Sequence, residues 1–449
     1  MSPSSTAVVI LAAGHGTRMK SATPKVLHEI GGRSMLAHVM ATAARFAPKR
    51  LAVVIGDQAP EVGDAARRIR PDVAVAVQAP PRGTGDAVRQ ALPALDGFSG
   101  VVLVLYADTP LLTEATLRAL ASAASGAAGA ALGFRPEVPG AYGRLKTAGV
   151  DLLGIVEAKD ASPDELAIPL CNAGAMAVDA DVLRTYVPRL SDNNAKREFY
   201  LTDIVGLARA DGGRFAVAEA DEAEVMGVNS RVELAEAERV FQRRRRREAM
   251  ENGATLIDPD TVYFSADTEI GADVVIEPHV YFGPKTRIAG GVRICAFSHV
   301  EGASAETGSV IGPFARLRPG AELKAKARVG NFVEVKKAVI GEGAKVNHLT
   351  YIGDADIGAR ANIGAGTITC NYDGFSKHRT EIGPDAFIGS NSALVAPVRI
   401  GRGAYVGSGS VITKPVEDGA LAVARGRQAE IKGWADKFRA ANSGKKAHD

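Results

Sequence analysis

The pattern of apolar and polar positions changes character near residue 230. Before it, continuous apolar runs stand out: Val8 to Leu11, Leu51 to Ile55 and Val101 to Leu105. Such runs are expected of parallel strands buried on both faces. Amphipathic stretches lie between them, and the spacing predicts helices over 35–46 and 114–124. Alternating strands and helices imply an α/β doubly wound, Rossmann-like sheet, with ligands at the carboxyl ends of the strands. Ser230 followed by Glu233 reads as a capping box. Leu234, Ala237 and Phe241 continue at helical spacing, and Asn252-Gly253 ends the run.

Beyond Gly253 the period becomes six. Apolar residues recur at Ile270, Ile276, Phe282, Ile288, Ile294 and Val300, then from Ile311 to Val335. The step resumes through Ile340, Val346, Ile352, Ile357, Ile363 and Thr369, and again from Ile382 to Ile412. Glycine often follows the apolar position, as at Gly271, Gly358, Gly364, Gly383 and Gly389. One flat strand and one corner per step, with three steps closing a turn, is the pattern of a parallel β-helix. The register breaks at 301–310 and 370–381, which predicts two loops leaving the coil. These boundaries divide the chain into 1–229, a linker helix over 230–252, a repeat domain over 253–424 and a basic, weakly helical tail over 425–449.

Composition narrows the function. A formal charge of +3 is too small to argue for a nucleic-acid partner. The run Arg243 to Arg247 is expected to be the solvated surface of a connecting helix. Three scattered cysteines, Cys171, Cys295 and Cys370, suggest neither a zinc site nor a disulfide framework and fit a reducing cytoplasm. No signal peptide and no membrane span are expected.

The first candidate site follows strand Val8 to Leu11, where Leu11-Ala12-Ala13-Gly14-His15-Gly16-Thr17-Arg18-Met19 begins. Small residues allow close backbone approach to a ligand, and a following helix would offer free N–H groups to phosphate. Arg18 can take phosphate oxygens bidentately, and Lys25 adds a second cation. The string is neither a P-loop nor a dinucleotide fingerprint, because Gly-Lys-Ser/Thr is missing and Met19 stands at the third glycine position.

With Pro24-Lys25, this string resembles the signature of sugar-nucleotide pyrophosphorylases. Joined to a hexapeptide-repeat half, the chain resembles the bacterial family of bifunctional N-acetylglucosamine-1-phosphate uridyltransferases / glucosamine-1-phosphate N-acetyltransferases, from about Ala7 to Arg425. The resemblance implies a left-handed β-helix and an enzyme that uses UTP, acetyl-CoA and Mg²⁺. It implies uridine-nucleotide contacts at Leu11, Ala12, Ala13, Gly14, Arg18, Lys25, Gln78, Gly83 and Thr84. Gly143, Glu157, Asn172 and Asn229 would meet the sugar phosphate, and Asp108 and Asn229 the metal. Two departures are visible: Ala107 stands where glycine is expected beside the metal aspartate, and Ala158 replaces a usual glutamine. The implied chemistry needs no general base, because a sugar phosphate is largely ionised near neutrality, with a second pKa of about 6. It needs charge neutralisation and alignment.

Asn347-His348-Leu349-Thr350-Tyr351 resembles the acetyltransferase motif of the same family. A lone histidine is more often structural than catalytic. His348 differs by its setting, since Arg318, Lys336, Tyr351, Asn362, Asn371 and Tyr372 fall in nearby repeats. A histidine side chain, whose charge changes near neutrality, is suited to take a proton from the attacking amine. By the resemblance, Arg318, Lys336, Tyr351 and Asn362 bind the amino-sugar phosphate. Ala365, Asn371, Tyr372, Ser390, Ser408 and Arg425 would then meet acetyl-CoA. The family also implies a homotrimer. Two rival readings are a single-activity nucleotidyltransferase with a regulatory β-helix, like ADP-glucose pyrophosphorylase, and a non-catalytic scaffold. The Arg18, Lys25 and Asp108 set opposes the scaffold, and the His348 cluster opposes the regulator.

Overall fold

The computed structural model describes residues 5–443. The chain forms two compact units. One runs up to Glu248 and includes Phe264–Ala266; the other comprises Ala249–Tyr263 and the chain from Asp267 onward.

The first unit is built on a nine-stranded sheet. Its strands are β1 (Thr6–Ala12), β2 (Arg50–Gly56), β3 (Ala74–Gln78), β4 (Val101–Tyr106), β5 (Gly129–Phe134), β6 (Arg144–Ala148), β7 (Asp151–Val156), β8 (Cys171–Asp179) and β9 (Phe215–Glu219). They lie in the order β3-β2-β1-β4-β8-β5-β9-β7-β6. The half from β3 to β4 is parallel, whereas β8 runs antiparallel to both of its neighbours. The sheet is therefore doubly wound but mixed. In β1, Val8, Ile10 and Ala12 join one apolar core and Ala7, Val9 and Leu11 another. Both faces are covered, which is why the strand reads as an unbroken apolar run. Helices Met35–Ala44 and Glu114–Ala123 fall where the spacing predicts them, capped by the Ser34 and Thr113 hydroxyls.

Helix Arg231–Glu251 is more than a connector. Ala237 and Val240 are buried in one cluster with Ile30, Met35, Leu111 and Val228. The arginine run is not uniformly solvated, contrary to expectation. Arg244 donates to the carbonyls of Leu111 and Ala223, and Arg246 is buried. Arg246 falls on the buried face with Gln242 and Ala249, at steps of four and three, while half-buried Arg244 reaches carbonyls with its guanidinium.

In the second unit, strands mostly two or three residues long from Thr255–Leu256 to Leu421–Ala422 stack in parallel register. Nearly all the six-step positions are buried, Thr369 among them; Ile270, near the start, is half-buried. The glycines mark corners where coil rests on coil. A Cβ on Gly364 would come within 2.6 Å of the Ser390 nitrogen. Of the two predicted loops, only the second leaves the coil. Glu269 pairs with Arg287 and Arg287 with Ser304, so the break at 301–310 is a coil one residue shorter. Asp356 pairs with Glu381, and the residues between include a projecting loop around Asn371 to Arg379. The tail carries helix Trp434–Asn442, exposed at every residue but the last.

Candidate active sites

At the carboxyl ends of β1, β3 and β4 lies a cavity of about 340 Å³. Leu11, Ala12, Ala13, Gly14, Lys25, Gln78, Gly83, Thr84 and Asp108 all line it. A neighbouring cavity of about 270 Å³ shares Thr84 and Asp108 and adds Gly143, Glu157 and Asn172. Apart from Arg18 and Asn229, the nucleotide and sugar residues read from the sequence thus fall in adjoining hollows, with Asp108 on both.

The geometry around Asp108 is specific. The Lys25 ammonium donates to Asp108 Oδ2 at 2.5 Å and to Asn229 Oδ1 at 3.0 Å. Asn229 is brought there by its neighbours: the Val228 N–H donates to the Asp108 carbonyl at 2.8 Å. Only half of the predicted capping box forms. Ser230 Oγ accepts from the Glu233 N–H, but the Glu233 carboxylate accepts from Asn229 N–H, at 2.7 Å. The reciprocal arm has shifted one residue and holds Asn229 in place.

Gly16, at φ 61°, lets the loop fold over Lys25; a Cβ there would lie 2.5 Å from Lys25 Cβ. No long helix follows this loop, contrary to expectation. A three-residue turn, Thr17–Met19, is bounded by left-handed Gly16 and Lys20, and the first α-helix starts at Met35. Arg18 stands exposed on that turn and does not line either cavity.

Gln78 is buried, and its Nε2 donates to Gly83 O and Asp86 Oδ2, each at 2.9 Å. Its amide oxygen is left as the acceptor that could meet an N–H donor on a pyrimidine ring. Ala107 settles the departure noted in the sequence. Its methyl is wholly buried in the core and its N–H donates to Leu11 O, so the side chain faces away from both cavities.

On the sugar side, burial pushes the Glu157 carboxyl above its ordinary range, against the opposing pull of Lys196. Asn172 Oδ1 accepts from the Gly174 N–H at 3.0 Å. Tyr200 was not singled out from the sequence. Among the described residues its buried hydroxyl has no hydrogen-bond partner, and burial raises its pKa to about 12.

In the β-helix, His348 is exposed, and its Nδ1 lies 2.9 Å from Asn331 Oδ1 in the preceding coil. An amide oxygen only accepts, so Nδ1 carries the proton and Nε2 keeps its lone pair. In the following coil the Gly366 N–H donates to His348 O at 3.3 Å. Ala365, beside it, heads a column: Asn391 N–H donates to Ala365 O, Gly409 N–H to Ser390 O and Arg425 Nη1 to Ser408 O. Four of the six residues expected at acetyl-CoA, Ala365, Ser390, Ser408 and Arg425, therefore line one corner that begins at His348; Asn371 and Tyr372 do not.

Arg318, Lys336 and Tyr351 gather on one face. Arg318 Nη1 donates to Glu334 Oε1 at 2.7 Å, and Glu334 is in register with Tyr351. Lys377, which the sequence analysis did not name, bends back from the projecting loop and with Arg318 depresses the pKa of Lys336. Three cations close enough to repel one another suit a phosphate. Asn371 donates to Asp354 Oδ2 at 2.5 Å and to the Tyr351 hydroxyl at 3.5 Å, so it buttresses this face. Tyr372 is exposed on the loop. Asn362 stands in register with Lys345 and Phe387, and its side chain makes no hydrogen bond among the described residues.

Residues 8–159 match the MobA-like NTP transferase domain family, and 379–414 match the bacterial transferase hexapeptide family of six repeats. The chain is 55% identical over 450 residues to the bifunctional protein GlmU of Paramagnetospirillum magneticum, covering 100% of this chain and 99% of that one. It belongs to the bifunctional GlmU family. The GlmU of Azorhizobium caulinodans is 57% identical over 442 residues, covering 98% of this chain and 99% of the relative. A solved UDP-glucose pyrophosphorylase complexed with UDP-glucose aligns at 17% identity and a TM-score of 0.44, covering 54% of this chain and 99% of that one. Both halves of the GlmU relatives are thus matched, the nucleotidyltransferase half and the repeat half.

Proposed function

We propose that this GlmU chain makes UDP-N-acetylglucosamine in two steps at two separate sites. The repeat unit transfers acetyl from acetyl-CoA to glucosamine-1-phosphate. The sheet unit transfers uridylyl from UTP to the N-acetylglucosamine-1-phosphate formed, releasing pyrophosphate and giving UDP-N-acetylglucosamine for cell-envelope synthesis. The observation that carries this reading is the pairing of two constellations: Lys25, Asp108 and Asn229 in one unit, and His348 with its cationic face in the other.

For uridylyl transfer, Lys25 and the loop backbone bind phosphate, and Gln78 with Gly83 and Thr84 hold the uracil. Gly143, Glu157 and Asn172 orient the sugar. Asp108 and Asn229 would hold Mg²⁺. The fit is supported by the ammonium of Lys25, which reaches an oxygen of each at once. A hard oxygen pair suits that ion, which takes its remaining ligands from water and substrate phosphate. Among the described residues no cluster of three or more acidic, histidine or cysteine side chains could hold a metal by itself. Bound there, Mg²⁺ would neutralise phosphate charge as pyrophosphate leaves. Arg18 enters the site only if its turn closes over the substrate.

For acetyl transfer, His348 Nε2 accepts the ammonium proton, the free amine attacks the thioester carbonyl, and the C–S bond breaks as the second proton of the nitrogen passes to sulfur, so that CoA leaves as the thiol and the amide is neutral. Arg318, Lys336 and Lys377 hold the sugar phosphate, and the Ala365–Arg425 column lies alongside acetyl-CoA. A homotrimer is proposed on the family resemblance alone. No helix among the described residues is long and apolar enough to cross a membrane. We place the enzyme in the cytoplasm, where its substrates are, with small molecules rather than nucleic acid or membrane as partners. We assign uridylyl transfer to 1–229, the connection to 230–252, acetyl transfer to 253–424 and the tail to 425–449.

The test is direct. Pure protein with glucosamine-1-phosphate, acetyl-CoA, UTP and Mg²⁺ should yield UDP-N-acetylglucosamine, free CoA and pyrophosphate. Production of pyrophosphate only when N-acetylglucosamine-1-phosphate is supplied ready-made would reduce the repeat unit to a regulator.

A further inference from the structure

Lys25 sits in a segment, Gly14 to His28, most of which is exposed between β1 and the helix at Met35. Little apolar burial holds it; Met19 and Val26 are its deeply buried apolar residues. Beside the bonds of Lys25 itself to Asp108 and Asn229 and that of the Met35 N–H to the His28 carbonyl, its polar anchoring comes from Arg231. Arg231, two residues beyond Asn229, donates from Nε to the Met19 carbonyl at 3.3 Å and from Nη1 to His28 Nδ1 at 3.2 Å. One guanidinium thus ties the segment on both sides of Lys25. His28 is buried, and a guanidinium only donates, so Nδ1 must be the unprotonated nitrogen. The proton is then on Nε2, which is buried.

We infer that Arg231 is a positioning residue for uridylyl transfer, acting through His28 Nδ1 and the Met19 carbonyl on the segment that carries Lys25. This rests on the uridylyl-transfer reading above. The stretch 229–231 then sets the place of Lys25 by two routes: Asn229 touches its ammonium, and Arg231 clamps the backbone around it. Charge alignment at a transferring phosphate is sensitive to displacement of a cation by about 1 Å, which can cost about 10²-fold.

The experiment compares Arg231→Leu, His28→Leu, His28→Asn and the double variant Arg231→Leu/His28→Leu in the full chain. Uridylyl transfer from UTP to N-acetylglucosamine-1-phosphate and acetyl transfer are measured separately, with melting temperatures. Arg231→Leu and His28→Leu should each lower uridylyl kcat between about 10- and 100-fold with acetyl transfer unchanged. His28→Asn keeps an acceptor at the δ position and should recover most of the loss. The double variant should be little worse than Arg231→Leu, because the two residues act as one contact. Wild-type kcat in Arg231→Leu would overturn the inference, as would equal loss in His28→Asn and His28→Leu, which would make His28 mere packing. No pyrophosphate release by the wild-type protein would instead overturn the uridylyl-transfer reading itself.

Discussion

Asn331 accepts a hydrogen bond from Nδ1 of His348 across 2.9 Å, one coil away along the β-helix. The contact fixes which ring nitrogen is free to take a proton. His348→Ala should lower acetyl transfer by about 10²–10⁴-fold and leave uridylyl transfer of supplied N-acetylglucosamine-1-phosphate unchanged. Asn331→Leu should cost less, about 10-fold, the worth of one hydrogen bond that selects the tautomer. Part of the His348→Ala loss should return at higher pH, where free amine exists without help. Near wild-type acetyl transfer in His348→Ala would make that histidine structural and move the base elsewhere.

Asp108→Asn should lower uridylyl transfer by at least about 10²-fold, since it removes the one carboxylate that faces both Lys25 and the expected metal. Acetyl transfer should stay near normal, because His348 lies in the other unit. Separate assays of the two half-reactions check this. Loss of both in a protein that still folds would break the two-site scheme.

Glu157 links activity to pH. Its pKa is raised mainly by burial from the ordinary 4.5, so the folded protein holds the proton to higher pH than the unfolded chain does. The native state binds more protons in that window, and stability falls as pH rises from about 4.5 through the raised value. Glu157→Gln removes the effect. Its melting temperature should exceed that of the wild type by a margin that is small at about pH 5 and larger at about pH 8. The same change should weaken sugar binding, seen as a higher KM for N-acetylglucosamine-1-phosphate. A margin that does not change with pH would show that the buried charge is already neutralised by Lys196.

A fragment that stops at residue 229 should fold poorly. It lacks the helix face on which Ile30, Met35, Leu111 and Val228 are buried, and each such side chain is worth roughly 1.5–3 kcal/mol. A chain ending at residue 270 keeps that face and Phe264–Ala266, and should melt at a higher temperature with more uridylyl activity. Equal melting temperatures would mean the helix is a connector after all.

Some of this was legible in the sequence and some was not, for physical reasons. Strand β1 was legible because burial on both faces leaves an unbroken apolar run. The coils were legible because one inward residue per flat repeats. Asn331 and Lys377 were not, since each acts on a partner in a different coil, 17 and 41 residues away. Arg18 was read as a phosphate ligand from a motif, yet a turn bounded by left-handed Gly16 and Lys20 leaves it outside the cavity. Arg231 was invisible among many arginines until His28 and Met19 were seen on either side of Lys25.

The corner at Gly364, where backbone rests on backbone, bears on how such a scaffold can vary. The flats admit no change in length, because a one-residue slip would turn every later inward side chain outward. The corners do: the step from Arg287 to Ser304 is one residue short, and that from Asp356 to Glu381 is seven longer than the step from Glu269 to Arg287. Heritable novelty in this half of the enzyme therefore enters at its edges. New reactivity can be grafted there as a flap, as Lys377 shows, while the thread of the screw stays as it was.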